Sequence, residues 1–321
     1  MTRMLLEDWH RIRDHLLAEH PDLVRLDCMN PFQALARWRP VHNGSVAGPD
    51  SWDALWIRRL DLPSLPLKAR RTHGVRSALR LVMSLPELKA QTAWLPEDVF
   101  PTYLSIAQEA DIAYDTYSTW PQLELPQEAT AGDWLVVTLP GAPGGRLPDE
   151  GLIRQLLDWA GSDRWIFIDC VYHYLDTEII LALLPLLRSG RALLATSLSK
   201  SFLLRCLGGV LWVPDVFASI PEDTPDADEA KVLADALEQF ARLPGQQQLA
   251  FRRCWEALLP DMHKLVPDWA FPESGYLATF PRAPEELLQY GFLAIPPEVF
   301  GCQKPGWSIV TCLHALEGSQ P

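Results

Sequence analysis

The sequence lacks the features that mark membrane, secreted and nucleic-acid-binding proteins. No apolar run approaches the length of a membrane span, and the first segment, MTRMLLEDWHRIRDHLLAEH, has charges among its apolar positions, unlike a signal peptide. Basic residues are scarce, since 28 Lys and Arg stand against 41 Asp and Glu and give a net charge of -13. No basic cluster is longer than the run Lys68, Arg70 and Arg71. We therefore expect a soluble cytoplasmic protein that binds neither nucleic acid nor an anionic membrane.

Cysteine pairs at metal-binding spacing are also missing. Six cysteines are present without any CxxC pair, at Cys28, Cys170, Cys206, Cys254, Cys302 and Cys312. In a chain of 321 residues we expect them to be buried small hydrophobic side chains, and we expect no metal site. The hydrophobic fraction of 48% is enough for one large core and a smaller second core.

The first part of the chain is only partly regular. Apolar residues at helical spacing from Leu5 to His20 predict an N-terminal helix, followed by a short strand that ends at Asp27. From Val41 to Pro66 the sequence is rich in Pro, Gly, Asn and Asp, so we expect an irregular, partly exposed segment.

Regular alternation of strands and helices begins at Thr72. A helix-like segment, VRSALRLVMSL, is followed by the strand-like runs TAWLP, IAYDTYS, WLVVTLP, WIFIDC, ALLATSL and GGVLWVP, with helical segments between most of them. Short, almost wholly apolar strands that alternate with helices predict a three-layer α/β fold, in which a mainly parallel sheet is covered by helices on both faces.

Beyond Pro214 the pattern changes to that of a small α+β domain. An acidic loop, PEDTPDADEA, precedes a long helical stretch to about Leu259 and the short strand-like pieces YLATF and SIVTCL. We predict a large domain over residues 41–215 and a small domain that the two ends, residues 1–40 and 216–321, form together.

Chemically useful side chains follow two of the predicted strands. WIFIDCVYHYL places Asp169 and Tyr172 just past one strand, and the next strand, ALLATSL, leads into Ser199 and Lys200. Ligands of open α/β sheets bind beyond the carboxyl ends of the strands, so we expect these groups to converge on one crevice.

A strand followed by D-x-x-Y, and a next strand followed by S-x-S-K, resemble the core signature of fold-type I pyridoxal 5′-phosphate (PLP) aminotransferases. RTHGVRSALRLV resembles the glycine turn of that family, WLPEDVFPTYLSIAQEADIAYDTY resembles its P-x-Y segment, and VVTLPGAPGGRLPDEGLIRQLLDWA resembles its PNNPTG segment. LVRLDCMNPF, SGYLATF and GFLAIPPEVFG extend the resemblance to both ends of the chain.

The resemblance implies a role for each residue around the cofactor ring. Lys200 would form a Schiff base with PLP and later move the proton of the substrate Cα. Asp169 would pair with the pyridine nitrogen, which makes the ring a better electron sink. Tyr172 would donate a hydrogen bond to the phenolate oxygen, and Tyr103 would stack on the ring face.

The resemblance also implies a phosphate site at a helix start, where oriented N–H groups and the helix dipole favour an anion. The implied residues are the backbone amides of Gly74, Val75 and Arg76 and the hydroxyls of Ser197 and Ser199. Arg205 would supply positive charge, although the arginine of the family lies eight residues past the lysine, where this chain has Gly208.

Two residues of the family pattern are replaced. The asparagine of PNNPTG corresponds to Ala142, so Tyr172 would hold the phenolate oxygen alone or with another group. The arginine that binds the substrate carboxylate belongs in the last strand, yet no Arg follows Arg282. The substrate is therefore not a free α-amino acid, or its carboxylate is bound differently.

The function implied is transfer of an amino group between an amino compound and a keto or aldehyde acceptor, in a specialised biosynthetic pathway. A homodimer is also implied, although the tyrosine that reaches the partner's phosphate has no match in residues 41–66. Decarboxylation, β/γ-elimination or an oxidative or cyclising reaction on the same cofactor is an alternative, and so is a degenerate paralogue without activity.

His173 is expected to be a packing or supporting group, and Trp38, Trp52 and Trp56 are expected to pack in the core rather than line a substrate pocket.

Overall fold

The chain folds around one large sheet, with helices and strands in alternation. The computed structural model describes residues 4, 6–38, 52–62, 65–99, 102–161, 163–174, 176–204, 208–217, 219–221, 223, 226–301 and 304–316. Its helices are α1 (Leu6–Glu19), α2 (Pro31–Ala34), α3 (Trp52–Arg59), α4 (Val75–Met83), α5 (Pro86–Lys89), α6 (Thr102–Glu109), α7 (Glu150–Ala160), α8 (Thr177–Arg188), α9 (Leu198–Ser201), α10 (Ala227–Ala234), α11 (Leu243–Leu265) and α12 (Pro284–Gln289). Its strands are β1 (Val24–Arg25), β2 (Leu67–Thr72), β3 (Ala93–Pro96), β4 (Tyr114–Tyr117), β5 (Trp134–Thr138), β6 (Trp165–Asp169), β7 (Ala192–Ser197), β8 (Gly209–Pro214), β9 (Leu277–Phe280), β10 (Phe292–Leu293) and β11 (Ser308–Thr311).

The central sheet has seven strands in the order β2-β8-β7-β6-β5-β3-β4. Neighbours from β7 to β4 are parallel, whereas β8 runs antiparallel to both β7 and β2. All residues of β5 and β7 are buried, because α4 and α6 cover one face of the sheet and α7 and α8 cover the other. The predicted three-layer, mainly parallel α/β fold is confirmed.

The edge strand β2 is an element that the sequence pattern does not predict. Its residues, LKARRT, carry three basic side chains and no apolar alternation. The Nε of Arg70 donates to the backbone carbonyl of Ile220 at 2.7 Å, and Arg71 forms ion pairs with Asp223 and Glu229. The acidic segment after β8 therefore balances the charge of this strand.

Part of the segment expected to be irregular is the helix α3, which corrects that expectation for residues 52–59. Leu55 and Trp56 of this helix pack into the core on the α7 and α8 side of the sheet. Their burial outweighs the turn-forming residues on either side of the helix. Residues 41–51 and 63–64 lie outside the described part of the chain. Trp56 and Trp38 are 0% and 8% exposed and Trp52 packs against the same core as Trp56, as expected of packing tryptophans.

A second core joins the two ends of the chain. It includes Trp9 and Leu26 from the N-terminal part and Phe280 and Ile309 from the C-terminal part. In this region β9 pairs antiparallel with β11, and β1 pairs parallel with β10. The long helical stretch predicted after Pro214 is divided, because a π-helical turn, Asp235–Gln239, separates α10 from α11. The domain boundaries at residues 40 and 215 stay a prediction.

The cysteines and the helix lengths bear on the remaining expectations. Cys170, Cys254 and Cys312 are buried and Cys28 is half-buried, whereas Cys206 and Cys302 fall outside the described ranges. Among the described residues, no His, Cys, Asp and Glu side chains gather in a group of three that would hold a metal ion. None of the helices in this part of the chain is both long and apolar enough to cross a membrane.

Truncation of Trp56 tests whether α3 packs as described. We expect Trp56→Ala to lower the free energy of unfolding by about 3–5 kcal/mol, because it removes a fully buried ring from the core. Its neighbour Ile57 is 41% exposed, so Ile57→Ala is the matched control and should cost roughly 0.5 kcal/mol or less. Urea unfolding measures both values, and equal losses in the two variants would contradict the packing of this helix.

Candidate active site

The candidate site lies where β5, β6 and β7 end at their carboxyl termini. The last residues of these strands are Thr138, Asp169 and Ser197. Ser197 is also the N-cap of the short helix α9, because its Oγ accepts the N–H of Ser199 at 3.0 Å. This cap fixes the turn that carries Lys200 into the crevice.

Asp169 is a buried carboxylate, with 4% of its surface exposed. Its Oδ1 accepts a hydrogen bond from the N–H of Val171 at 3.0 Å, and its Oδ2 accepts one from the hydroxyl of Tyr103. The Tyr103 hydroxyl also lies 3.3 Å from the hydroxyl of Thr138. Burial raises the pKa of Asp169 to about 6, and it does so against these hydrogen bonds and the charges of Lys200 and Arg76, which lower it. The two oxygens retain lone pairs for a further donor.

Lys200 is half-buried among aromatic rings. Its Nζ donates to the hydroxyl of Tyr276 at 3.4 Å and lies 5.7 Å and 6.0 Å from the ring centroids of Tyr172 and Phe32. Burial raises the pKa of Tyr172 to about 12 and that of Tyr276 well above its usual value, so both phenols keep their protons at neutral pH. Phe32 and Tyr276 are site residues that the sequence analysis missed.

The start of α4 lies close to the end of β7 and the beginning of β8. Gly74 precedes this helix with a φ of 119°, and no side chain of the described residues caps the helix. A Cβ on Gly74 would lie 3.4 Å from the Oγ of Ser197, and one on Gly209 would lie 2.4 Å from the Gly74 nitrogen. Glycine is therefore required at 209 for the close approach of α4 to β8, and the positive φ favours glycine at 74.

Two polar side chains complete this end of the crevice. The Oγ1 of Thr72, at the end of β2, is buried without a hydrogen-bond partner in the described part of the chain. Arg76 is exposed in the first turn of α4, and its charge lowers the pKa of both Asp169 and Tyr172. The opening of the crevice here carries positive charge and unused N–H groups, which together favour an anion.

The structure brings most of the predicted residues together. Asp169 contacts Tyr103 directly, Tyr172 and Lys200 adjoin each other, and Ser197 adjoins Gly74. Arg205 lies outside the described residues. His173 is buried, its Nε2 forms a hydrogen bond with the hydroxyl of Thr196, and burial lowers its pKa to about 3, so its ring stays neutral and packs below the site.

The positions of the two replaced family residues differ in burial, since Ala142 is half-buried and the last strand is fully buried. Ser308 and Val310, in the last strand, are fully buried, and the hydroxyl of Ser308 donates to the backbone carbonyl of Arg282 at 2.6 Å. Ala142, together with Tyr172 and Tyr276, lines a cavity of about 10 Å³. Neither position offers a cation or an amide to a ligand.

Replacement of Asp169 by Asn tests the burial of this carboxylate. An acid whose pKa rises from 3.8 to about 6 on folding stabilises the fold below pH 4 and loses that contribution as the pH rises through 6. The ionised carboxylate then costs about 3 kcal/mol at pH 8. We expect Asp169→Asn to be more stable than the wild type by up to that amount at pH 8, with a difference that shrinks toward pH 4.

Urea unfolding of the protein without cofactor at several pH values measures this difference. Asp149 is the control, since it is an exposed helix N-cap at which the hydrogen bond from Arg146 lowers the pKa of the carboxyl, so Asp149→Asn should bring no gain at pH 8. An Asp169→Asn variant that is less stable than the wild type at pH 8 would show that the charge of Asp169 is well compensated.

Comparison with known proteins supports the fold. No family model matches the sequence, and no curated protein matches it. The structure is similar to an aminotransferase from Staphylococcus aureus, with a TM-score of 0.68 and 13% identity over 92% of this chain and 91% of that one. A probable N-succinyldiaminopimelate aminotransferase from Thermus thermophilus gives a TM-score of 0.65 and 17% identity over 96% and 97% of the two chains. A PLP-bound C-S lyase from Staphylococcus hominis gives 0.63 and 12% over 92% and 88%. Over almost its whole length, the chain therefore has the fold of the fold-type I PLP-dependent aminotransferases and C-S lyases.

Proposed function

We propose that the chain is a PLP-dependent enzyme that transfers an amino group from an amino compound to a keto or aldehyde acceptor, with Lys200 as the residue that binds the cofactor aldehyde. The observation that carries this proposal is the meeting of Lys200, Tyr172 and the buried Asp169 at the carboxyl edge of one sheet. A reactive amine, a phenol and a carboxylate that lacks a full counter-charge are the groups that this cofactor requires.

The residues at the start of α4 fit the phosphate of PLP. Gly74 is bordered by the uncapped amides of Val75 and Arg76, by the buried hydroxyl of Thr72 and by the hydroxyl of Ser197. Ser199 lies next to this group on α9. We propose that these residues bind the phosphate and that Arg76 contributes its charge, in addition to the role first inferred for Arg205.

The other residues would act on the ring and on the substrate. PLP, when bound, supplies an electron-withdrawing ring that stabilises negative charge on the carbon bearing the amino group. The carboxylate of Asp169 would hold a proton on the ring nitrogen, and Tyr103, which donates to the same carboxylate, would cover the ring face. Tyr172 would donate to the phenolate oxygen. The amine of Lys200 would take the proton from the substrate carbon and return it.

The proposed class of substrate follows from the absence of the arginine that binds the substrate carboxylate in the family. Ser308 and Val310 are fully buried in the last strand, where the family has its carboxylate-binding arginine. We propose that the amino substrate has no carboxylate at the reacting carbon, or that its carboxylate binds elsewhere, and that the reaction belongs to a specialised biosynthetic pathway. A homodimer is also proposed, on the resemblance of the sequence alone, and a cytoplasmic location is proposed because the sequence has no apolar run as long as a membrane span.

A lyase is the second candidate function. It is favoured by the similarity to the C-S lyase from Staphylococcus hominis, because the TM-score for that structure is almost as high as those for the two aminotransferases. One fold supports both reactions, since the bond that breaks is the one held perpendicular to the ring.

Attachment of the cofactor tests the proposal. Purified protein loaded with PLP should be yellow, and borohydride reduction should attach the cofactor covalently to Lys200, as identified by peptide mass spectrometry. Lys200→Arg keeps the positive charge, so it should bind PLP without covalent attachment. If the wild type stays colourless with PLP, or if reduction labels another lysine, the proposal is wrong.

The fate of the amino group separates the two reactions. A transaminase given an amine donor without an acceptor should leave the amino group on the cofactor, whereas a lyase should return the aldehyde form. Chromatography of the cofactor extracted after one turnover distinguishes the two forms. A loaded protein that leaves every amine in a broad panel unchanged would instead favour a degenerate paralogue.

A further inference from the structure

Tyr276 connects the amine of Lys200 with the hydroxyl of Tyr172. The Nζ of Lys200 donates to its hydroxyl at 3.4 Å, and the same hydroxyl is a hydrogen-bond partner of the hydroxyl of Tyr172. The rings of Tyr172 and Tyr276 meet edge to face, with centroids 6.2 Å apart. One buried phenol thus touches both the amine and the other phenol.

The direction of these hydrogen bonds follows from the protonation of the phenols. Burial keeps the pKa of Tyr276 well above neutral pH, so its hydroxyl keeps its proton. Because Lys200 donates to the oxygen of Tyr276, the proton of Tyr276 is left for the oxygen of Tyr172. The proton of Tyr172 is then directed away from Tyr276 and toward an acceptor in the crevice.

Tyr276 is held in place from several sides. The N–H of Gly275 donates to Gln248, the indole of Trp255 donates to the carbonyl of Gly275, and the N–H of Cys312 donates to the carbonyl of Tyr276, each at 3.2 Å. The ring of Phe251 lies 5.7 Å from the ring of Tyr276. The hydroxyl therefore has a fixed position before any ligand binds, which lowers the cost of using it.

Tyr276 lies beside the position at which Ala142 replaces the asparagine of the family. Both residues line the cavity of about 10 Å³ that also borders Tyr172. This volume holds at most one water molecule, so little enclosed space remains between Tyr276, Tyr172 and Ala142.

We propose that Tyr276 is a positioning residue, which holds the amine of Lys200 and orients the hydroxyl of Tyr172 from the side that Ala142 leaves open. The proposal rests on the proposed function where PLP serves as the probe. Its contact with Lys200 is tested without cofactor as well.

Four other ionisable groups face this pair, and Tyr276→Phe leaves all four unchanged. Asp169 and Arg76 act on Tyr172, and Cys28 and Tyr174 act on Tyr276. Tyr174 also supplies the matched control, because its ring is 3% exposed and packs on Phe251, yet its hydroxyl has no partner among the described residues.

Tyr276→Phe and Tyr174→Phe each remove one buried hydroxyl and keep the ring. With PLP, Tyr276→Phe should weaken cofactor binding about 5-fold, because Lys200 and Tyr172 lose the hydrogen bonds that hold them in place before the cofactor binds. It should also raise the pH midpoint of the visible absorbance of the loaded protein by roughly 0.5–1 unit, because Tyr172 becomes a weaker donor. Without PLP, an amine-reactive reagent should label Lys200 several-fold faster. Tyr174→Phe should match the wild type in all three measurements.

The two proposals fail in different ways. If the wild type does not take up PLP at Lys200, the proposed function is wrong, and the labelling rate alone decides whether Tyr276 holds the amine. If the wild type takes up PLP but Tyr276→Phe has the same midpoint, affinity and labelling rate, Tyr276 is a packing residue only. Equal effects of Tyr174→Phe would contradict the proposal in the same way.

Discussion

The burial of the Asp169 carboxylate is the constraint around which the site is organised. It lies at the end of a strand covered on both faces, where an ionised group loses most of its hydration. Two hydrogen bonds and the charges of Lys200 and Arg76 offset only part of that loss, since the pKa of the carboxyl remains at about 6. A protein seldom keeps such a cost without a use for it. A protonated ring nitrogen placed against Asp169 would remove the cost, and a cofactor with that property would gain affinity from it.

Phenols surround Asp169 and Lys200, whereas Arg76 and the amides at the start of α4 lie at the opening of the crevice. Tyr103 donates to Asp169, Tyr276 joins Lys200 to Tyr172, and all three tyrosines of the crevice are protonated at neutral pH. A phenol brings a rigid ring as well as a hydroxyl, so it positions a proton with little loss of side-chain entropy. The site thus depends on hydroxyl donors whose rings are fixed by packing. The last strand contributes no polar group to it, because Ser308 and Val310 are fully buried.

The sequence predicted the parts of the molecule that are encoded locally. Apolar runs such as WIFID and ALLAT mark buried strands, and the strand ends place Asp169 and Lys200 at one edge of a parallel sheet. The sequence pattern does not predict the strand β2, because the charges of its basic residues are balanced by acidic residues more than a hundred positions away, for example Arg71 by Glu229. The helix α3 was hidden by the turn-forming residues around it. Tyr276 lies just before β9 in the segment SGYLATF, which does not reveal its partner, and it reaches Lys200 across 76 residues of sequence, so only tertiary packing shows the contact.

The protonation state of the ring nitrogen is the most direct test of the central claim that Asp169 and Lys200 form one cofactor site. Its NMR chemical shift can be measured at pH 8 with isotope-labelled PLP bound to the wild type and to Asp169→Asn. A protonated nitrogen in the wild type and an unprotonated one in the variant is the predicted result. An unprotonated nitrogen in the wild type would mean that the buried carboxylate does not face the cofactor, and the assignment of the site would be wrong.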